Sequence, residues 1–314
     1  MKYRFWSCAF FLVSILFVTS ALAQENVAQI EQSRQFRDPV PNLRPLERPS
    51  NTDNRADFTA ASPGDDDLGQ QIILKSRKEY QPITASMSTG ITFTNNVGLS
   101  AQFSQEDWLW QSGLNVSYEP RFSNYAQGFL GISAEAFRYD EFNEFDFEST
   151  TLSAGIDYHL QYLGGLNAGL RFDYNRLTSD FGEEIFSNRT ATITLSKIYI
   201  INRAQYFYTS ANVALSWSDP ARAARNEYLL SAGYRLQVTR GLNMSLLMRL
   251  GYYEYTETSR EDSNEVLQIS TGYSVTQWLT ANASLSYGFN QSNRTGFDYE
   301  VLNGSLGIFL SWKF

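Results

Sequence analysis

From Gln81 to the carboxyl terminus, apolar and polar residues alternate with a period of two. One segment places Leu152 and Leu160 on one side and Asp157 on the other. This alternation predicts β-strands that have one apolar face and one polar face, rich in Ser, Thr, Asn and Gly. Twelve segments show it, near residues 83–94, 108–119, 126–138, 149–162, 166–177, 189–200, 205–217, 227–238, 242–255, 265–275, 279–290 and 301–314.

The length and spacing of these strands favour a membrane barrel. They are longer than most strands of soluble proteins and fit the length that a tilted strand needs to cross a bilayer. Tight turns of three residues are predicted at 163–165, 239–241 and 276–278, and longer polar connections at 140–148, 178–188 and 258–265. Short turns at one end and long loops at the other are typical of outer-membrane barrels.

The apolar face could pack on a second sheet, as in a soluble sandwich, or it could face lipid. The tryptophans decide for lipid, because they fall at predicted strand ends: Trp108, Trp110 and Trp217 on the long-loop side, Trp278 and Trp312 on the short-turn side. Their rings favour the lipid–water interface and would form two aromatic girdles. In lipid the last strand must pair with the first. We therefore predict an all-β, antiparallel up-and-down transmembrane barrel of about 12 strands, within a range of roughly 10–14.

The amino-terminal residues 1–23 have the pattern of a cleaved secretory signal peptide. Lys2 and Arg4 precede an apolar run, and Ala21 and Ala23 form an A-x-A cleavage pattern. We expect export to the outer membrane of a bacterial cell.

Residues 24–80 differ in composition from the rest of the chain. They contain five of the eight prolines, Pro39, Pro41, Pro45, Pro49 and Pro63, among polar residues. A segment so poor in apolar surface predicts a disordered periplasmic arm ahead of a barrel that spans 81–314. A periplasmic protein could be the partner of this arm.

Charge and residue usage exclude several classes of function. The formal net charge of −8 argues against nucleic acid as a partner, because phosphate binding needs a basic surface. The one cysteine, Cys8, lies in the predicted signal peptide, and His159 is the only histidine. We therefore expect no cysteine or multi-histidine metal site and no cofactor.

Some barrels of this kind are hydrolases, so the surroundings of the histidine matter. The sequence His159-Leu160-Gln161 lacks the serine two residues away that barrel lipases and deacylases pair with histidine. His159 also lies near a short turn rather than at the outer rim, where an omptin-like protease would need it. We predict no catalytic residue and no enzyme.

The carboxyl-terminal segment GSLGIFLSWKF carries a family resemblance. Its alternating apolar residues, with Leu310, Trp312 and Phe314 at the end, resemble the signal that the barrel-assembly machinery reads in outer-membrane proteins. Over residues 81–314 the chain looks like a Gram-negative outer-membrane β-barrel, and it is loosely similar to the β-barrel porin group. The resemblance implies three partners: outer-membrane lipids, lipopolysaccharide and the assembly machinery.

Alternate residues of each strand should face the lumen, and this identifies candidate pore-lining residues. They are Asp157, His159, Arg171, Asp173, Arg235 and Arg249. The three-residue turns predict that Asp157 faces Arg171, Gly155 faces Asp173, Arg235 faces Ser245 and Arg249 faces Ser231. The basic side chains would favour anionic or hydroxylated solutes. Alternatively, the charges form internal salt bridges that narrow the lumen.

These features leave several functions open. The first is a porin-like channel for passive or weakly selective diffusion of small hydrophilic solutes, with anionic solutes among the candidates. The second is a non-enzymatic structural or export-assembly barrel, such as an exopolysaccharide-export partner that works through the arm. An autotransporter is a weaker alternative, because residues 24–80 do not resemble a folded passenger domain.

Overall fold

A computed structural model describes residues 27–36, 80–101, 104–179 and 182–314. These residues contain twelve strands that form a closed antiparallel barrel, in which each strand pairs with its sequence neighbours and β1 pairs with β12. The predicted up-and-down barrel is confirmed. The strands are β1 (Ile83–Thr94), β2 (Asp107–Tyr118), β3 (Ala126–Tyr139), β4 (Phe147–Leu160), β5 (Leu166–Ser179), β6 (Glu184–Ile200), β7 (Gln205–Asp219), β8 (Arg225–Gln237), β9 (Leu242–Tyr255), β10 (Glu261–Ser274), β11 (Leu279–Ser292) and β12 (Tyr299–Lys313).

The described residues also include one α-helix, α1, at 27–36. Short 3₁₀ helices occupy Asn143–Phe145, Gln161–Leu163 and Ala221–Ala223. Across the described ranges, no helix has the length and apolar character needed to span a membrane. The predicted signal peptide lies outside the described residues.

The large apolar side chains point away from the barrel axis. Leu152, Leu170 and Phe172 are each about half exposed, whereas Thr151 and Asn175, which alternate with them, are buried inside. This is the reverse of a soluble protein, whose apolar side chains pack together. An apolar outer face is expected of a barrel that is surrounded by lipid hydrocarbon.

Closure of the barrel accounts for the apolar carboxyl terminus. Ile83 and Phe314 exchange two backbone hydrogen bonds, of 3.2 and 2.9 Å. Leu306 and Trp312 lie on the outer surface, 60% and 41% exposed. The carboxyl-terminal strand is therefore hydrogen-bonded to a neighbouring strand on each side, and its apolar side chains face outward.

The two ends of the barrel differ. We call the end where β1 ends the loop end and the end where β1 begins the turn end. The loop end carries the connections 95–106, 140–146, 180–183, 220–224, 256–260 and 293–298. The long polar connections predicted at 140–148, 178–188 and 258–265 are too long, because β4, β6 and β10 begin inside them. Strand pairing depends on backbone hydrogen bonds, so polar residues extend the barrel beyond its apolar band.

One predicted turn is wrong and two are confirmed. The amides of Val238 and Val275 each donate to the carbonyl four residues on, at 2.9 Å, which closes the turns at 239–241 and 276–278. Between β4 and β5, however, Leu160 faces Leu166, so that the connection spans 161–165. A 3₁₀ helix followed by Gly164 and Gly165, at φ 68° and 80°, makes this longer turn. Two successive left-handed residues suit glycine.

The contact between β1 and β12, which we call the seam of the barrel, leads to a prediction about stability. Gly90 on β1 lies so close to β12 that an added Cβ would be 2.6 Å from the Leu306 carbonyl oxygen and 3.0 Å from Gly307 Cα. We expect Gly90→Ala to destabilise the folded barrel by about 1–3 kcal/mol through overpacking. Urea unfolding in detergent, followed by heat-modifiable migration on gels, would measure it.

Gly304→Ala on β12 is the matched control, because its Cβ would meet only Leu285 Cδ1, at 3.9 Å. Equal unfolding midpoints for Gly90→Ala and Gly304→Ala would show that the seam is not tightly packed at Gly90.

Candidate functional site

The α1 helix lies inside the lumen at the loop end. Its side chains donate hydrogen bonds to groups on different sides of the barrel: Gln29 to the Glu144 and Asp146 carbonyls, Gln32 to the Val97 carbonyl, Arg34 to the Ala223 carbonyl and Gln35 to Tyr299 Oη. The prediction that residues 24–80 are disordered is therefore wrong for 27–36.

The sequence contains a weak signal for this helix. The five prolines of the 24–80 segment all follow residue 38, and the stretch before them consists mostly of good helix formers such as Ala28 and Gln29. An isolated helix of this length is only marginally stable in water. The helix is stabilised by its burial in the lumen, which composition cannot reveal.

One side of α1 packs on an apolar wall. Ala28 and Ile30 belong to a buried cluster with Val97, Leu109, Phe137, Tyr139, Phe145, Phe147, Leu177 and Phe186, most of which come from β2–β6. Phe36 stacks on Phe137, with ring centroids 5.5 Å apart. The inner face of the barrel is thus apolar here, which differs from the polar face that strand alternation predicts.

The other side of α1 meets a buried charge cluster. Glu31 accepts hydrogen bonds from Arg225 Nη1 at 2.7 Å, from Tyr255 Oη at 2.8 Å and from Arg34 Nη1 at 3.1 Å. Arg225 also binds Glu227 through Nε at 2.8 Å. The Glu31 carboxylate is thus held by one donor of its own helix and two of the barrel wall.

These contacts keep Glu31 ionised. Burial alone would raise the pKa of Glu31, but Arg225, Arg34 and Arg260, with the hydrogen bond from Tyr255, lower it to about 2. The favourable interaction with three guanidinium groups outweighs the loss of hydration. Glu31 therefore carries its charge throughout the physiological pH range.

A third arginine, Arg260, completes the cluster from the 256–260 connection. It binds Asp262 and lies over the rings of Tyr255 and Phe297, at 4.2 and 3.8 Å from their centroids. Stacking on aromatic rings stabilises a guanidinium that is removed from water. The charged wall at the loop end is therefore built from β8–β10 and the 256–260 connection.

A cavity of about 310 Å³ lies in the lumen next to α1. Glu31, Arg34 and Gln35 bound it on the helix side, and it reaches Glu119 and Gln127 toward the turn end. Many of its other lining residues carry hydroxyl or amide groups, among them Thr190, Thr192, Thr194, Ser196, Asn212, Ser216 and Asn264. Such walls can exchange hydrogen bonds with water and with hydrated solutes.

The structure brings four of the six predicted pore-lining residues into this cavity: Asp157, Arg171, Asp173 and Arg249. The other two lie elsewhere. His159 hydrogen-bonds through Nδ1 with Asn167 Oδ1 at 2.7 Å, and Arg235 donates to Tyr206 Oη at 3.4 Å. Neither lines the cavity.

The predicted pairing across β4 and β5 is wrong by two residues. Asp157 faces Gly169, Gly155 faces Arg171 and Ser153 faces Asp173. The longer 161–165 turn causes this shift. Arg171 binds its strand neighbour Asp173, with Nε 2.8 Å from Oδ1.

The pairing predicted across β8 and β9 is confirmed. Arg235 faces Ser245, and Arg249 faces Ser231. The turn at 239–241 has the predicted length, so the register counted from it is right.

The remaining predicted site residues lie on the outer surface or at the seam. The five tryptophans are all 41% exposed or more: Trp108, Trp110, Trp217, Trp278 and Trp312. Leu310 faces Met87 across the seam, and the Phe314 side chain is 65% exposed. Their roles in the girdles and in assembly remain predictions.

Metal ligands do not converge in the described parts of the chain. Among those residues, no three histidine, cysteine, aspartate or glutamate side chains lie together as metal ligands would. The lumen offers hydrogen bonds and paired charges, an arrangement suited to binding or passing polar solutes.

Comparison with solved structures identifies the fold. The COG4313 outer membrane channel from Pseudomonas putida F1 is similar with a TM-score of 0.53 and 9% identity, over 77% of this chain and 100% of that one. KdgM porin in complex with disordered oligogalacturonate gives a TM-score of 0.43 at 10% identity, over 72% and 99% of the two chains. An anion-selective porin from Comamonas acidovorans gives 0.41 at 8%, over 73% and 98%.

No protein-family model and no curated protein sequence matches the chain. At these identities the structural likeness shows the fold alone. That fold is the outer-membrane β-barrel, as the sequence predicts.

The lowered pKa of Glu31 leads to a prediction about how α1 responds to acid. A group whose pKa is lowered in the folded state contributes stability above its ordinary pKa, here 4.5, and loses it as the pH falls through its folded value, here about 2. We expect the amides of 27–36 to stay protected from hydrogen exchange down to roughly pH 3 and to lose protection near pH 2.

Protection factors measured by mass spectrometry, corrected for intrinsic exchange at each pH, would test this. Glu31→Gln is the control, because it should be less protected at pH 7 and should lack the acid step. Loss of wild-type protection between pH 5 and pH 4 would contradict the role of the arginines.

Proposed function

We propose that this protein is an outer-membrane channel for passive, weakly selective diffusion of small hydrophilic solutes. The observation that carries the proposal is a cavity lined mostly by polar and charged residues, inside a closed 12-stranded barrel whose outer face is apolar. Twelve strands lie between the eight that side chains fill and the sixteen or more that leave a wide aqueous channel. Export by a cleaved signal peptide at 1–23 is part of the proposal.

The charges of the cavity support weak rather than strong selectivity. Both signs line it, and Arg171 lies within 2.8 Å of Asp173, so its field is partly cancelled. Asp157 on β4 and Arg249 on β9 lie five strands apart, on opposite sides of the barrel. A preference for anionic solutes would therefore be modest.

The predicted partners belong to the same proposal. Lipid and lipopolysaccharide would surround the apolar outer face between the tryptophan girdles. The barrel-assembly machinery would read Leu310, Trp312 and Phe314, and a periplasmic protein would bind the amino-terminal arm at 24–80.

A second candidate is a non-conducting structural or export-assembly barrel. The observation that favours it is α1, which occupies the lumen at the loop end. If the helix never leaves, the cavity has no path to that end. Conductance measurements separate the two candidates.

Ion selectivity tests the channel directly. We expect purified full-length protein to produce ohmic steps in planar bilayers. Neutralising Arg249 by Arg249→Gln should shift the reversal potential in a KCl gradient toward cations, because a positive field in the lumen is lost. Asp157→Asn is the matched control of opposite sign and should shift the reversal potential toward anions.

The non-conducting barrel would be favoured if none of these proteins produced conductance steps and if liposomes containing them did not swell in solutions of small sugars. If the protein conducts but neither substitution changes its ion selectivity, the conduction path lies outside this cavity.

A further inference from the structure

We propose that α1 is a removable plug, which closes the loop end of the lumen at rest and has to leave that position for solutes to pass. This inference rests on the proposed channel function, since a plug matters only where something passes. It concerns the chain's own residues 27–36 as an intramolecular ligand of the barrel.

The contacts of α1 show that it spans the lumen. Its hydrogen-bond partners Val97, Asp146, Ala223 and Tyr299 come from connections and strands distributed around the barrel. Its apolar residues meet the wall of β2–β6, while Glu31 meets the wall of β8–β10. A helix in contact with both walls lies across the passage between them.

The attachment of α1 permits removal. Within the described residues, each hydrogen bond between the helix and the barrel involves a side chain, and no backbone–backbone bond joins them. The barrel ladder is continuous from β1 to β12 without the helix. Withdrawal of α1 therefore breaks no strand pairing.

The charges at the contact also permit removal. Glu31 and Arg34 form an ion pair on the helix itself, at 3.1 Å, and would leave together. Arg225 would retain Glu227, and Arg260 would retain Asp262. A buried ion left without a counter-ion is strongly destabilising. Here neither the wall nor the helix is left with an uncompensated charge, so the cluster is suited to repeated release and return.

Changing the charge of Glu31 alone should expel the helix. Glu31→Lys would add a fourth cation to Arg34, Arg225 and Arg260, and would break the balance described above. Glu257→Lys is the matched control, because it makes the same charge change at an exposed position of the same end of the barrel.

Position of the helix can be measured without relying on conduction. Ser33 is 5% exposed on α1, so a cysteine introduced by Ser33→Cys reports burial through its rate of reaction with a maleimide. The measurement uses the full chain with Cys8→Ser. We expect slow labelling in this background and with Glu257→Lys, and a rate about tenfold higher or more with Glu31→Lys.

Conductance of the same proteins then links position to passage. We expect Glu31→Lys to raise the time-averaged conductance in planar bilayers by a similar factor of about ten, with Glu257→Lys unchanged. Circular dichroism and heat-modifiable migration of each variant would verify that the barrel is folded.

The outcomes separate the plug from the channel. Rapid labelling of Ser33→Cys without the charge change would overturn the plug, because the helix would not be resident. High conductance with the thiol still protected would overturn the plug and leave the channel standing. Rapid labelling in Glu31→Lys with a silent bilayer would overturn the channel and, with it, the idea that release of α1 opens a path.

Discussion

The structure depends on a single requirement, which is that every backbone amide and carbonyl within hydrocarbon has a hydrogen-bond partner inside the protein. A sheet meets this requirement only when it has no free edge. The pairing of Ile83 with Phe314 at the seam closes the sheet, and it also explains why the chain can end in an apolar stripe. The orientation of all other side chains follows from closure, because successive residues must then face either outward or into the lumen.

Closure leaves an interior that has to be filled by side chains, water or another element. In this barrel the two ends of the lumen differ. Aromatic residues such as Phe137 and Phe147 fill the loop end together with α1. Farther toward the turn end, hydroxyl and amide groups surround open space. The lumen is therefore a core at one end and a polar cavity farther down.

The sequence is sufficient to predict the parts of this fold that depend on local pattern. Strand number, strand order and the outward direction of residues such as Leu170 follow from a period of two. Strand register can be predicted from the sequence only where the length of the turn is predicted correctly. The predicted partner of Arg249 is right. The predicted partner of Asp157 is wrong, because Gly164 and Gly165 form a longer turn than the spacing of the apolar residues suggests. The position of α1 could not be predicted, because its stability comes from walls that are distant in sequence.

The chemistry of α1 bears on whether it is a fixed part of the core. A permanent core gains little from a buried ion pair, since apolar residues of similar volume are often equally or more stabilising in its place. Yet α1 presents Gln29, Glu31, Gln32 and Arg34, all buried and all hydrogen-bonded. Such a surface is soluble in water when the helix is withdrawn and specific for one position when it returns. A helix built in this way fits an occupant that comes and goes better than one that stays.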